Sequence, residues 1–183
     1  MFYNIKDLYK KITNKKTINK TMLIGIDGGG GAGKSTFAEA LRKIDPANIT
    51  VVHMDDFCKI SRQRAIAHKE IGWLWDCNRM KSQVLIPLSN EQPAKYQIYD
   101  WDLDELSDWQ EISAGGIVIV EGCYSLINDL SGFYDLKIWI DTPPGRRLLR
   151  GVERDGEAKR YLWEDLWMPA EDDYIRVQQP IKR

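Results

Sequence analysis

Two hydrophobic periods divide this chain into blocks. Met22-Leu23-Ile24-Gly25-Ile26, Ile49-Thr50-Val51-Val52-His53-Met54, Ile117-Val118-Ile119-Val120 and Leu136-Lys137-Ile138-Trp139-Ile140 are short, apolar and rich in β-branched residues. The first and third have the composition of buried strands, and all four read as strands of a sheet. Helical spacing separates them. Ile5, Leu8, Tyr9 and Ile12 predict an amphipathic helix within residues 1–20 with a basic, solvated face. Phe37, Leu41 and Ile44 predict a second helix. Trp73, Trp75, Met80, Val84, Leu85 and Leu88 predict a third, stopping around Pro87. Thr142-Pro143-Pro144 opens a fourth, since proline suits a first helical turn, and Trp163, Leu166, Trp167, Tyr174 and Ile175 mark a last one. Residues 58–70 are charged and of mixed pattern, a helix or a mobile loop. Lys95 to Trp101 alternates like a strand and leads into an acidic segment. Strand and helix in alternation predict an α/β fold with a central parallel sheet.

The junction after the first strand carries the chemistry. From Gly28 to Ser35 the spacing is G-x-x-x-x-G-K-S, a phosphate-binding loop set between a strand and a helix. Gly28, Gly29, Gly30, Gly31, Ala32 and Gly33 let backbone N–H groups approach phosphate oxygens. Lys34 reaches the β- and γ-phosphates, and Ser35, followed by Thr36, offers a hydroxyl to Mg²⁺. The residues therefore imply a nucleoside triphosphate, within a three-layer α/β/α fold of the P-loop NTPase kind.

Other candidates stand at strand ends. Asp55 and Asp56 follow the second strand, where open α/β sheets bind ligands. A catalytic carboxylate is the better reading there, a helix cap the plainer one, and His53 could join the aspartates at a metal. Glu121 closes the third strand like a Walker B acid that reaches Mg²⁺. Arg147, Arg150 and Arg154 share a helix face and could clamp transferred charge, with a lid over about residues 150–163. Asp76 is either an N-cap or a hydroxyl-binding group. Tyr99 and Asp100 suit a stacked ring and a bound hydroxyl, or form an edge-strand cluster.

Composition narrows the classes. A length of 183 residues fits one domain, 1–183, and the formal net charge of -1 gives no electrostatic case for nucleic acid. The three cysteines show no C-x-x-C spacing, which favours reduced thiols in a cytoplasmic protein. Neither a signal-peptide core nor a membrane-length apolar run is evident. A homo-oligomer is left open.

Taken together, these residues resemble the uridine kinase and phosphoribulokinase family of P-loop kinases, most nearly its small bacterial uridine-kinase-like members. The carriers are Ile24 through Ser35, His53-Met54-Asp55-Asp56-Phe57, Tyr99-Asp100-Trp101, Val120-Glu121-Gly122, and Asp141-Thr142 leading to Arg147-Leu148 and to Arg150 through Asp155. The resemblance implies ATP- and Mg²⁺-dependent phosphorylation of a primary hydroxyl, most nearly the 5′-hydroxyl of a uridine- or cytidine-like nucleoside. It makes Asp55 the general base and lets Lys34 and Mg²⁺, held by Ser35 with Glu121 nearby, offset γ-phosphate charge. Arg150 and Arg154 close from the lid, and Asp76 and Tyr99, with Asp100, contact the acceptor. The rivals are a kinase of another small alcohol (pantothenate, nicotinamide riboside or a sugar) and a non-catalytic nucleotide switch or binding module. The chain departs from the family pattern in three ways. A pyrimidine-reading His is missing after the tyrosine motif, since the two histidines are His53 and His68. Cys58 stands where relatives often have Tyr. The family's further strand after the last helix, whose loop borders the adenine, is not seen before Arg183.

Overall fold

The structure, a computed structural model, describes residues 4–17, 20–64 and 70–182. His68, the first three residues of the expected N-terminal helix and part of the 58–70 segment lie outside them. Asn4 caps α1 (Ile5–Lys15) by accepting from the Lys6 N–H. The strands β1 (Met22–Asp27) and β2 (Ile49–His53) are joined by α2 (Lys34–Arg42). A helix over 77–89, α3, precedes the strands β3 (Ala94–Asp100) and β4 (Glu105–Ile112), then β5 (Ile117–Glu121) and β6 (Leu136–Trp139). The chain ends in α4 (Pro144–Asp155) and a helical run over 160–178, α5.

Four strands form one parallel sheet in the order β2-β5-β1-β6. Alternation sends its side chains to two apolar layers. Met22, Ile24, Ile26, Ile117 and Ile119 pack on Ala38 and Leu41 of α2 and on Ile12 of α1. Leu23, Val52, Val118 and Val120 point the other way, onto Met80, Val84, Leu85 and Leu88 of α3 and Tyr174 of α5. Helices thus cover both faces, as a parallel sheet with continuous apolar strands requires. Among the described residues, no helix is long and apolar enough to cross a membrane.

Two features differ from the expectation. The acidic segment after Tyr99 folds back as β4, antiparallel to β3, with a register irregularity between Gln97 and Tyr99. The third helix also continues past Pro87 to Ser89. A proline removes the i→i−4 hydrogen bond, and the preceding turn, Lys81–Leu85, is wound as a π-helix that tolerates the loss. The same arrangement recurs in α5, where a π-helical turn, Trp163–Trp167, precedes Pro169.

Candidate active site

The strands β1, β2 and β5 deliver their carboxyl ends to one edge of the sheet, where an open cleft of about 1330 Å³ lies. The phosphate-binding loop forms its floor. Gly33 adopts φ 100°, a conformation open to glycine, and turns the chain into α2 with no side chain capping the first turn. The uncapped N–H groups and the helix dipole therefore face the cleft, ready for an anion. Lys34, 7 % exposed, folds back over the loop. Its Nζ donates to the carbonyls of Gly28 (2.9 Å) and Gly29 (3.0 Å) and to Cys123 Sγ (3.2 Å). Burial opposes its charge, but Cys123, Asp27 and Glu171 outweigh that and raise its ionisation above the usual lysine range. The Thr142 hydroxyl secures the loop by donating to the Ala32 carbonyl.

Asp55 follows β2 in a single 3₁₀ turn, Met54–Phe57, and lines the cleft with Lys34, Glu121, Arg150 and Arg154. Desolvation by the cleft walls raises its carboxyl above the ordinary aspartate range, and Glu121 adds to the effect while Lys34, His53 and Arg154 oppose it. Glu121 Oε1 meets His53 Nδ1 at 2.6 Å. That contact is the main reason the imidazole ionises above the usual histidine range. Glu121 Oε2 is buried with no hydrogen-bond partner among the described residues.

That orphaned oxygen is suited to Mg²⁺, a hard cation that takes oxygen ligands. Ser35 is exposed on the same cleft, and with Glu121 it makes a fitting pair of donors. Among the described residues, no group of three or more His, Cys, Asp or Glu could hold an ion alone. Phosphate oxygens and water would complete such a site.

Arg150 and Arg154 of α4 also reach the cleft. Arg150 Nη1 lies 3.3 Å from the Gly31 carbonyl, and Arg154 is held by Asp155 at 2.8 Å. Arg147 instead turns inward to a buried pair with Glu171 Oε2 at 2.7 Å. Trp163 packs between Gly151 and Gly30, where a Cβ on either glycine would collide with the indole.

The three acceptor-side candidates are placed differently from the others. Asp76 caps α3, accepting from the Arg79 N–H at 2.9 Å, and borders a separate shallow depression with Arg79 and Lys81. Asp100 accepts from the N–H groups of Asp102 and Leu103, stabilising the hairpin tip. Tyr99 is 2 % exposed and donates to Asp104 Oδ1 at 2.6 Å. All three lie outside the lining of the main cleft, which includes Arg64, Trp73, Leu74, Trp75, Trp101 and Tyr124. Arg64 donates to Ser61 Oγ, the Tyr99 hydroxyl and Asp104 Oδ1 at 3.0 to 3.1 Å. Donors from Ser61 and Tyr99 hold the Asp104 carboxyl down at about 2.

Three supporting residues escaped the sequence reading. Asp27 Oδ1 accepts from the N–H groups of Gly28 (2.7 Å) and Tyr124 (3.1 Å), and Oδ2 from Leu126 N–H (2.9 Å) and the Tyr174 hydroxyl (2.7 Å). Burial raises its carboxyl to about 6 despite these donors. Its signal was present: an acid closing an apolar strand directly before the glycines. Arg79 bonds to the carbonyls of Gln97 (2.5 Å) and Asp56 (2.7 Å) and so ties α3 and β3 to the Asp55 turn. Glu171 is the third, and nothing local in its helix marks it.

The model of the phosphoribulokinase/uridine kinase family matches residues 23–178. A uridine kinase of Latilactobacillus sakei is 25% identical over 167 residues, covering 87% of this chain and 77% of the relative. A uridine kinase of Ureaplasma parvum is 29% identical over 154 residues, covering 79% and 74%. A Bacillus stearothermophilus structure described as a possible uridine kinase shares the fold with a TM-score of 0.76, at 24% identity over 98% of this chain and 94% of that one.

Proposed function

The chain belongs to the phosphoribulokinase/uridine kinase family and is an ATP-dependent kinase; we propose that it transfers the terminal phosphoryl group of ATP to a primary hydroxyl of a nucleoside-like acceptor. The observation that carries this reading is the convergence of the uncapped α2 N-terminus, Lys34 and Asp55 on one cleft.

Phosphoryl transfer depends mainly on positioning and on stabilising charge at the moving group. The loop N–H groups and Lys34 bind the β- and γ-phosphates. Asp55 accepts the proton as the acceptor oxygen bonds to phosphorus and the bond to the β–γ bridging oxygen breaks, releasing ADP. Arg150 and Arg154 stabilise the charge spread over the transferred group. Ser35 and the free Glu121 Oε2 would hold Mg²⁺. When bound, the ion neutralises charge on the phosphate oxygens. Closure of the lid, about residues 150–163, over bound nucleotide would exclude water and so limit wasteful hydrolysis.

The cleft is also lined by Trp73, Trp101 and Arg64, residue types suited to stacking on a flat ring and to donating to a carbonyl oxygen. The relatives named uridine kinase support a nucleoside. A second reading, a kinase of another small alcohol, is favoured by the pair behind Tyr99, which is Asp104 and Arg64 rather than a histidine. Release of ADP from Mg-ATP in the presence of nucleosides, pantothenate or sugars separates the two. Stimulation by uridine or cytidine supports the nucleoside reading. Stimulation by another alcohol alone moves the acceptor, and no stimulation by any acceptor refutes the kinase mechanism.

A further inference from the structure

One edge of the phosphate loop is engaged by a polar network that ends on a carboxylate. Lys34 Nζ meets Cys123 Sγ at 3.2 Å, and the Cys123 thiol lies 3.5 Å from Glu171 Oε1. The same Oε1 accepts from the Gly30 N–H at 2.8 Å, and Oε2 pairs with Arg147 at 2.7 Å. Glu171 is 6 % exposed and Arg147 5 % exposed. An ammonium has three N–H donors, and all three of Lys34 are directed at protein atoms.

A carboxylate oxygen on a phosphate-loop N–H, beside Lys34 and Arg147, has the charge and the acceptor lone pairs of a phosphate oxygen. A terminal phosphate entering the loop meets that fixed negative charge in a partly desolvated site, where repulsion is weakly screened. Among the loop glycines, added Cβ atoms on Gly29, Gly30 and Gly31 would strike Arg147, Trp163 or Glu171. The glycine run thus seats the α4–α5 pair as well as the nucleotide. We infer that Glu171 is the residue through which the phosphate loop distinguishes a nucleoside triphosphate from a diphosphate: its carboxylate holds the Gly30 N–H and Arg147 until a γ-phosphate displaces it. Displacement bears directly on α5, because Glu171 lies on that helix one turn before Tyr174, which is bonded to Asp27. This inference rests on the assignment of the loop as the phosphate site.

The test compares wild type with Glu171→Gln, which keeps an acceptor for Gly30 and Arg147 but removes the charge. Dissociation constants are measured for ADP and for a non-hydrolysable ATP analogue by calorimetry on the full chain. The triphosphate should bind the variant about tenfold more tightly, the order expected from removing one nearby charge, while the ADP constant moves less than about twofold. Equal shifts for both nucleotides, or none, would overturn the role of Glu171 and leave the phosphate site standing. Failure of wild type to bind either nucleotide would overturn both. Hydrogen exchange on wild type supplies a readout that does not depend on the variant folding. Residues 168–178 should exchange faster with the triphosphate analogue than with ADP, and identical protection would contradict the inference.

Discussion

The Tyr174 hydroxyl, near the carboxyl end of the chain, donates at 2.7 Å to Asp27 Oδ2 at the end of the first strand, 147 positions earlier. Asp27 also receives the N–H groups of Gly28, Tyr124 and Leu126. One buried carboxylate therefore joins the start of the phosphate loop, the segment after β5 and the last helix.

Losing Tyr174 as a donor should cost little, because three N–H groups still satisfy Asp27. Tyr174→Phe should lower stability by about 1 kcal/mol, the usual net value of one hydrogen bond. Asp27→Asn turns an amide NH₂ toward converging donors and should cost about 2–4 kcal/mol. Denaturant midpoints at constant m-value check the order. An Asp27→Asn protein no less stable than Tyr174→Phe would contradict the role given to the carboxylate.

Asp55→Asn should leave ATP binding nearly intact and reduce turnover by ~10²–10⁴-fold, the range for general-base catalysis. Undiminished turnover would remove Asp55 from the mechanism.

The same residue fixes a pH dependence. Desolvation in the cleft and the charge of Glu121 raise its carboxyl above 3.8. The base works ionised, so kcat/KM should fall as pH drops through that raised value and stay level above it. The kcat/KM profile reports groups of the free enzyme. An acid limb at an ordinary aspartate value, or one that persists in Asp55→Asn, would assign it to another group.

Arg64 should act on the acceptor alone. Arg64→Met removes a charged donor whose hydrogen bonds are typically worth about 1.5–3 kcal/mol, so the acceptor KM should rise by about tenfold or more while the ATP dissociation constant holds. A change in ATP affinity with an unaltered acceptor KM would place Arg64 on the donor side.

Arg79 has a structural role that bears on the site. Arg79→Met should strand the carbonyls of Gln97 and Asp56 and cost about 2–3 kcal/mol, read as a lower denaturant midpoint. An unchanged midpoint would mean that the Asp55 turn is held by other contacts.

The sheet and the phosphate loop were legible because their signals are local. The apolar runs at Met22, Ile49, Ile117 and Leu136 each exceed what an exposed strand carries, and the loop spacing lies within eight residues. β4 was not legible: Glu105–Ile112 is largely exposed, mixes charges with Leu106 and Trp109, and owes its strand form to pairing with β3. The extension of α3 past Pro87 depends on a π-helical turn that no residue type announces. Asp76 and Asp100 also accept backbone N–H groups at a helix start and a hairpin tip, and only the fold shows these contacts. Glu171 and Gly30 are 141 positions apart, and only the fold brings them together.

The central claim is transfer of phosphate to an alcohol rather than to water. Phosphorus NMR of a reaction containing Mg-ATP and uridine, with mass detection of the acceptor, tests it directly. The mechanism predicts a new phosphomonoester on the acceptor in amounts equal to the ADP formed, with Asp55→Asn producing neither at a comparable rate. Inorganic phosphate in place of that ester, across nucleosides and other small alcohols alike, would contradict it.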